Sequence, residues 1–321
     1  MIVKEREFPL SILKLQALLR RLPPDHPKIP SIKEELKKRT AGFKGETSLD
    51  FPLGLLDQQK YFILHDIRLP YKEHFFQIDT LVITCNFIVL IEVKNIIGTI
   101  YFDPIFNQLI RRYEDKETAF PDPILQIKRQ EGHLKGWLKK NRFEEIPIYS
   151  LVAISNPQTI IRTTNENHTL NQKVLHKEAL PVKVKQIESI AKEKVLSEKE
   201  LKKIIRLLKK QHTPPGFPIL DQYDIKKNEI LKGVICCSCN CYTYKRQHGY
   251  WFCSKCQHRS KDAHFQALKD YELLISPTIT NNQLRDFLKI ESSAVATRLF
   301  HSMNLPYSGS NKGRVYHLNL E

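Results

Sequence analysis

Asp79, Glu92 and Lys94 are the residues of this chain whose types and spacing fit hydrolysis of a phosphate ester. They lie in Gln77-Ile-Asp-Thr-Leu-Val-Ile-Thr-Cys-Asn-Phe-Ile-Val-Leu-Ile-Glu-Val-Lys94, where two apolar runs flank Cys85-Asn86. If those two residues form a hairpin loop, the numbers of cross-strand partners total 171, and Asp79 falls opposite Glu92. Directly opposed Cβ atoms are about 4.5–5.5 Å apart, so two carboxylates share one spot. Lys94 is two residues beyond Glu92, on the same face. Like charges opposed on a sheet destabilise it, and a divalent cation offsets the repulsion. A metal held there would activate water and stabilise charge developing on a phosphodiester, while Lys94 could orient the water or neutralise the transition state. The same residues also fit a solvated charge cluster on an exposed hairpin face, and another loop length would break the register.

A second constellation is built from sulfur. Six of the seven cysteines fall between Cys236 and Cys256, which in a reducing compartment favours metal over disulfides. Cys236-x-x-Cys239 and Cys253-x-x-Cys256 form two knuckles thirteen residues apart. Zinc takes four such thiolates in a tetrahedron, and a site closed in this way is structural rather than catalytic. Cys237 and Cys241 crowd the first knuckle and could replace its ligands. Tyr242, Tyr244, Tyr250, Trp251 and Phe252 suit the strands of a zinc ribbon. Lys245, Arg246, His248, Lys255, His258, Arg259 and Lys261 favour a ribbon that meets nucleic acid, although one that merely braces a fold looks alike.

Asp79, twelve residues, then Glu92-Val-Lys94 resembles the Asp…Glu-x-Lys signature of the PD-(D/E)XK nuclease superfamily. Gly42-Phe-Lys-Gly45-Glu46 upstream, Glu92-Val-Lys-Asn95 followed by Gly98, and Asp122-Pro123-Ile-Leu-Gln126 resemble more closely the nuclease-related domain (NERD) family, over roughly residues 37–155. The resemblance implies a restriction-endonuclease-like α/β (α+β) domain with a mixed sheet. It implies Mg²⁺ (or Mn²⁺) on Asp79 and Glu92, a catalytic Lys94, Glu46 as a helper and Gln126 as an auxiliary contact. Glu46 also reads as a first-turn acid facing a helix dipole, and Gln126 as helix decoration. His65, Asp66, His74 and His133 read as solvated polar residues and are not assigned to the site.

The elements that must position these groups follow from periodicity. The first 40 residues read as two short helices split by Pro23-Pro24 and Pro27, with Ser31 as N-cap of Ile32–Lys38 and with Gly42 and Gly45 ending the pattern. Apolar runs at 61–67, 77–84, 87–94 and 98–102 predict a meander, 124–140 a helix, and 149–154 a strand. A strand-like piece and a Lys-rich helix over 197–211, opened by a Ser197/Glu200 capping box, follow before Pro214-Pro215-Gly216. The expected organisation is a helical segment 1–40, a nuclease-like domain 41–155, a basic helical connector 156–232, the ribbon 233–262 and a last unit 263–321.

That last unit predicts a helix from Gln283 to Leu288 capped at Thr280, a turn, a helix over 293–303, and a hairpin over 307–318 with a Gly-rich tip. This order is similar to a winged helix-turn-helix. The likeness implies Ser292, Ser293, Thr297 and Arg298 near bases or phosphates and Lys312 and Arg314 on the wing, unless the fold serves protein contacts. A net charge of +16 favours a polyanionic partner. The N-terminus lacks an apolar leader and no run reaches membrane-spanning length, so a cytoplasmic protein is expected. Two functions are in view: a metal-dependent nuclease acting on DNA held by ribbon and tail, and a non-catalytic DNA-binding or regulatory protein on the same scaffold. An RNA substrate fits the first equally well.

Overall fold

The computed structural model describes residues 1–143, 145–164 and 170–320; the side chain of Lys312 also lies outside the described part. The chain opens with strand β1 (Ile2–Lys4) and helices α1 (Leu10–Arg21), α2 (Ile29–Thr47) and α3 (Asp50–Gly54). It packs as two units, one formed by residues 1–8 and 40–216 and the other by 9–39 and 217–321. Two expectations for the N-terminal segment are corrected. Helix α2 starts at Ile29, so Ser31 does not cap it; its hydroxyl donates instead to the Lys28 carbonyl. Nor do Gly42 and Gly45 end the helix, which continues to Thr47. Glycine in a helix costs about 0.8–1 kcal/mol against alanine. Packing overrides that cost here, because a Cβ on Gly45 would stand 2.6 Å from Asn95 Cβ and 2.9 Å from Ser155 Oγ.

In the first unit β2 (Phe62–Tyr71), β3 (His74–Ile83) and β4 (Ile88–Lys94) form the meander. The β3–β4 pairs Thr80–Ile91, Leu81–Leu90, Val82–Val89 and Ile83–Ile88 have the register expected from a Cys85-Asn86 loop. Next come β5 (Thr99–Asp103), β6 (Gln108–Tyr113), β7 (Lys116–Pro121), α4 (Pro123–Lys140), β8 (Ile148–Ile154), β9 (Ile160–Thr163), α5 (Leu170–Lys173), β10 (Val174–His176), α6 (Leu180–Ile190) and α7 (Glu198–Gln211). A six-stranded sheet has the order β1-β2-β3-β4-β8-β10, and a four-stranded sheet the order β7-β6-β5-β9. The larger sheet is mixed: β1, β8 and β10 join in parallel and the β2–β3–β4 pairs are antiparallel. The stretch expected as a connector thus carries β9, β10, α6 and α7, and divides at Gly216.

Both faces of the large sheet are covered, which is why β4 opens with an unbroken apolar run, Ile88 to Ile91. On one face Leu81, Ile83, Leu90 and Val152 meet Ile127, Leu134 and Trp137 of α4 and Leu201 and Ile204 of α7. On the other, Val82, Val89, Ile91 and Ala153 meet Leu53, Leu180 and Val184. Strands β6 and β7 escaped the sequence reading because their hairpin is polar and turns on Glu114-Asp115, both at positive φ (50° and 57°), without a glycine.

The second unit adds α8 (Ile219–Gln222), β11 (Tyr244–Gln247), β12 (Tyr250–Cys253), β13 (Arg259–Ser260), α9 (Ala263–Leu274), β14 (Thr278–Thr280), α10 (Asn281–Leu288), α11 (Ser293–Met303), β15 (Tyr307–Ser308) and β16 (Val315–His317). Its sheets are β11-β12-β13 and β14-β16-β15. Thr280 and Gln283 form the expected capping box. Helix α1 is bound into this unit by the buried pair Arg21 Nε–Asp270 Oδ2 at 2.7 Å, with Arg21 Nη1 also donating to Gly233 O at 2.7 Å. Among the described residues no helix is long and apolar enough to cross a membrane.

Candidate active site and metal centre

Alternation along β4 places Glu92 and Lys94 on the face covered by α4, where the apolar layer ends, and Asp79 of β3 neighbours them across the hairpin. Glu92 is only 4 % exposed, and each of its oxygens is held. Oε1 accepts from Lys94 Nζ at 2.7 Å and Oε2 from Gln130 Nε2 at 2.9 Å. Lys94 Nζ also donates to Gln126 Oε1 at 3.0 Å. Helix α4 aims both glutamines inward, since Gln126 and Gln130 stand one turn apart on one face. Its start is set by Asp122, which accepts from Ile124 N–H at 2.7 Å, and by Pro123 in the first turn.

Asp79 Oδ2 accepts from Val93 N–H at 2.9 Å, tying the carboxylate to the neighbouring strand. Its carboxyl is pushed well above the usual range, first by burial and then by the charges of Glu92 and Glu46; the Val93 hydrogen bond and Lys94 oppose this. Glu46 is likewise raised by burial, with Arg6 opposing and Asp66 and Glu92 adding to the rise. It comes from the last turns of α2, which Gly45 lets approach Asn95 and Ser155. Asn95 Nδ2 fastens the same helix by donating to Ala41 O at 2.7 Å. Three neighbouring carboxylates, two of them raised by the charge of Glu92, are a donor set suited to a hard cation, which binds oxygen ligands.

The five residues expected at this site are therefore neighbours on three elements, α2, the β3–β4 hairpin and α4. Sequence reasoning missed Gln130 and Arg6 and set His65 aside. Gln130 had a signal, its helical spacing from Gln126. Arg6 had none, because it reaches the site from the other end of the chain segment. Its Nη1 donates to Glu46 Oε2 at 2.9 Å, and its Nη2 lies 2.9 Å from His65 Nδ1. His65 is buried rather than solvated, and burial, Arg6 and Lys4 push its imidazole down to about 3.

In the second unit the Sγ atoms of Cys236, Cys239, Cys253 and Cys256 all lie within 4.8 Å of one another. The Cys236–Cys256 and Cys239–Cys253 separations are 3.5 and 3.6 Å, close to the edge of about 3.8 Å that Zn–S bonds of about 2.3 Å set for a tetrahedron. Cys256 N–H donates to Cys253 Sγ and Thr243 Oγ1 lies 2.9 Å from it, contacts that suit a thiolate. Cys237 and Cys241 point elsewhere. Cys237 Sγ lies 3.6 Å from Tyr244 Oη, and Cys241 Sγ receives Lys255 Nζ at 3.3 Å. The four-cysteine cluster is compatible with a zinc ribbon on β11–β13.

Ser293, Thr297 and Arg314 line one cavity of about 670 Å³ together with Asn281, Arg285 and Tyr316. Asn281 joins the helices, donating to Thr297 Oγ1 at 3.2 Å and accepting from Ser293 Oγ at 3.2 Å. Arg298 is exposed and does not line this cavity, Arg314 stacks on Tyr307 at 4.4 Å, and Lys312 falls outside the described side chains.

No curated protein and no solved structure matches this chain. One family model does, over residues 41–155 and described as a nuclease-related domain, NERD. That span contains Glu46, Asp79, Glu92, Lys94 and Gln126, and across it this chain is a nuclease-related domain of mixed α/β fold.

Proposed function

We propose that the protein is a metal-dependent nuclease that hydrolyses DNA phosphodiester bonds, with Asp79 and Glu92 holding Mg²⁺ or Mn²⁺ and Lys94 acting in catalysis. The observation that carries this is the convergence of Asp79, Glu92 and Lys94 with Gln126 on the ends of paired strands inside a nuclease-related domain. A bound metal would polarise the phosphate and lower the pKa of its water. Lys94, fixed between Glu92 Oε1 and Gln126 Oε1, supplies a positive charge whose position is set before substrate arrives. Gln130 fixes the other Glu92 oxygen, so the carboxylate cannot swing away. Glu46 is the helper at the edge of the cluster.

The zinc-ribbon and C-terminal segments are the proposed means of holding the nucleic acid. Supporting this, a helix, a turn, a second helix and a hairpin follow one another over 281–317, as in a winged helix-turn-helix. Ser293, Thr297 and Arg314 share a polar cavity there, and Arg298 is free to reach a phosphate. The net charge of +16 suits a polyanion. The test is cleavage of linear, nicked, branched and single-stranded DNA, with RNA beside them, in Mg²⁺ and Mn²⁺. Loss of cleavage in Glu92→Ala with binding retained supports the nuclease. A folded, zinc-loaded wild type that binds DNA but cuts nothing supports the non-catalytic function.

A further inference from the structure

Arg6 lies outside the span of the nuclease-related domain, yet its side chain is 4 % exposed and is built into the acid cluster. The guanidinium bridges several groups at once. Nη1 donates to Glu46 Oε2 at 2.9 Å and reaches the Asp79 carbonyl at 3.5 Å. Nη2 meets His65 Nδ1 at 2.9 Å and Thr80 Oγ1 at 3.3 Å, with Asp50 Oδ1 at 3.8 Å. Arginine is not deprotonated in proteins, so this positive charge is permanent. Its fork is also fixed from two sides: β1 pairs with β2 just before it, and Thr80 and His65 face it from the sheet.

We propose that Arg6 is a positioning residue that stands in for a second cation. By pairing with Glu46 it leaves Asp79 and Glu92 to hold a single divalent ion. This rests on the metal-site function proposed above. Of the three carboxylates, Glu46 is neutralised by Arg6 at 2.9 Å and Glu92 is offset by Lys94 at 2.7 Å. A first divalent ion at Asp79 and Glu92 then more than balances the remaining charge. A second ion would meet none of these three carboxylates free of a cation, and would be repelled by the guanidinium.

The experiment is a Mn²⁺ titration of the full, zinc-loaded chain, with bound ion counted by electron paramagnetic resonance and thermal unfolding recorded beside it. Wild type is expected to take one Mn²⁺, lost in Glu92→Ala. Arg6→Gln keeps hydrogen-bond donors but drops the charge, and is expected to take two. Adding Glu46→Gln to it returns the count to one, and Arg6→Lys stays at one. Arg6→Gln that melts lower but still takes one ion would show a merely structural arginine and overturn the proposal, as would two ions in wild type. Should Arg6→Gln fail to fold, Glu46→Gln alone decides. A retained single ion supports the proposal, and loss of that ion makes Glu46 a required ligand and overturns it. A folded wild type that binds no Mn²⁺ removes the metal site itself, a different result from either.

Discussion

Two glycines three residues apart in α2 should respond to alanine in opposite ways. Both substitutions gain helix propensity, about 0.8–1 kcal/mol. A Cβ on Gly42 meets nothing within 4 Å, so Gly42→Ala should keep that gain. A Cβ on Gly45 would stand 2.6 Å from Asn95 Cβ and 2.9 Å from Ser155 Oγ. The Asn95 Cβ is bonded to the backbone and cannot rotate aside, so helix and strand must part, an overpacking that costs about 1–3 kcal/mol. Because the propensity gain is common to both, the difference between the variants isolates the contact. At about 2–4 °C per kcal/mol for a unit of this size, Gly42→Ala should melt about 2–12 °C above Gly45→Ala. Differential scanning calorimetry of the zinc-loaded, Mg²⁺-free protein reads this gap. Only Gly45→Ala should also alter Mn²⁺ binding, since the Asn95 it would displace directly follows Lys94 at the end of the strand that carries Glu92. Equal rises in Tm for both variants would refute the close approach of α2 to Asn95 and Ser155.

Asp79→Asn keeps an oxygen for Val93 N–H but removes the charge opposed to Glu92 and Glu46. The metal-free variant should therefore melt above wild type, by the order of 0.2–1 kcal/mol in stability, and lose the Mn²⁺-induced rise in Tm. Zinc analysis should give one ion per chain, retained in Cys237→Ser, whose Sγ sits by Tyr244, and lost in Cys253→Ser. Chelation should then destabilise the second unit, since structural zinc contributes directly to folding. His65 is held neutral in the folded chain, pushed from 6.5 down to about 3 by burial, Arg6 and Lys4. Below pH 6.5 the unfolded chain binds the extra proton, so stability falls with falling pH by up to about 1.4 kcal/mol per unit. Urea midpoints between pH 7.5 and 4.5 should show a steeper loss for wild type than for His65→Gln, and parallel curves would remove His65 from the account.

The parts legible in the sequence were those written in local pattern. The β3–β4 register from Ile83–Ile88 to Thr80–Ile91 followed from a two-residue loop between apolar runs; the ladder stops one pair short of Asp79 and Glu92, where Asp79 Oδ2 accepts from Val93 N–H instead. The α7 and α10 starts were visible as capping boxes, and the four clustered cysteines as paired knuckles. Helix α2 was misjudged because Gly45 answers to packing against Asn95 and Ser155, both far along the chain. The polar β6–β7 hairpin was missed because its turn uses left-handed Glu114 and Asp115 in place of glycine.

Sequence alone therefore determined which residue types could form a metal site and a zinc site, because their spacing is set by the two-residue period of a strand and by the knuckle. Tertiary structure alone decided which groups hold them. Arg6 reaches Glu46 across 40 residues and Thr80 across 74, and Gln130 grips Glu92 across 38. Such contacts depend on strand order and on helix packing over the sheet, and short-range periodicity carries neither.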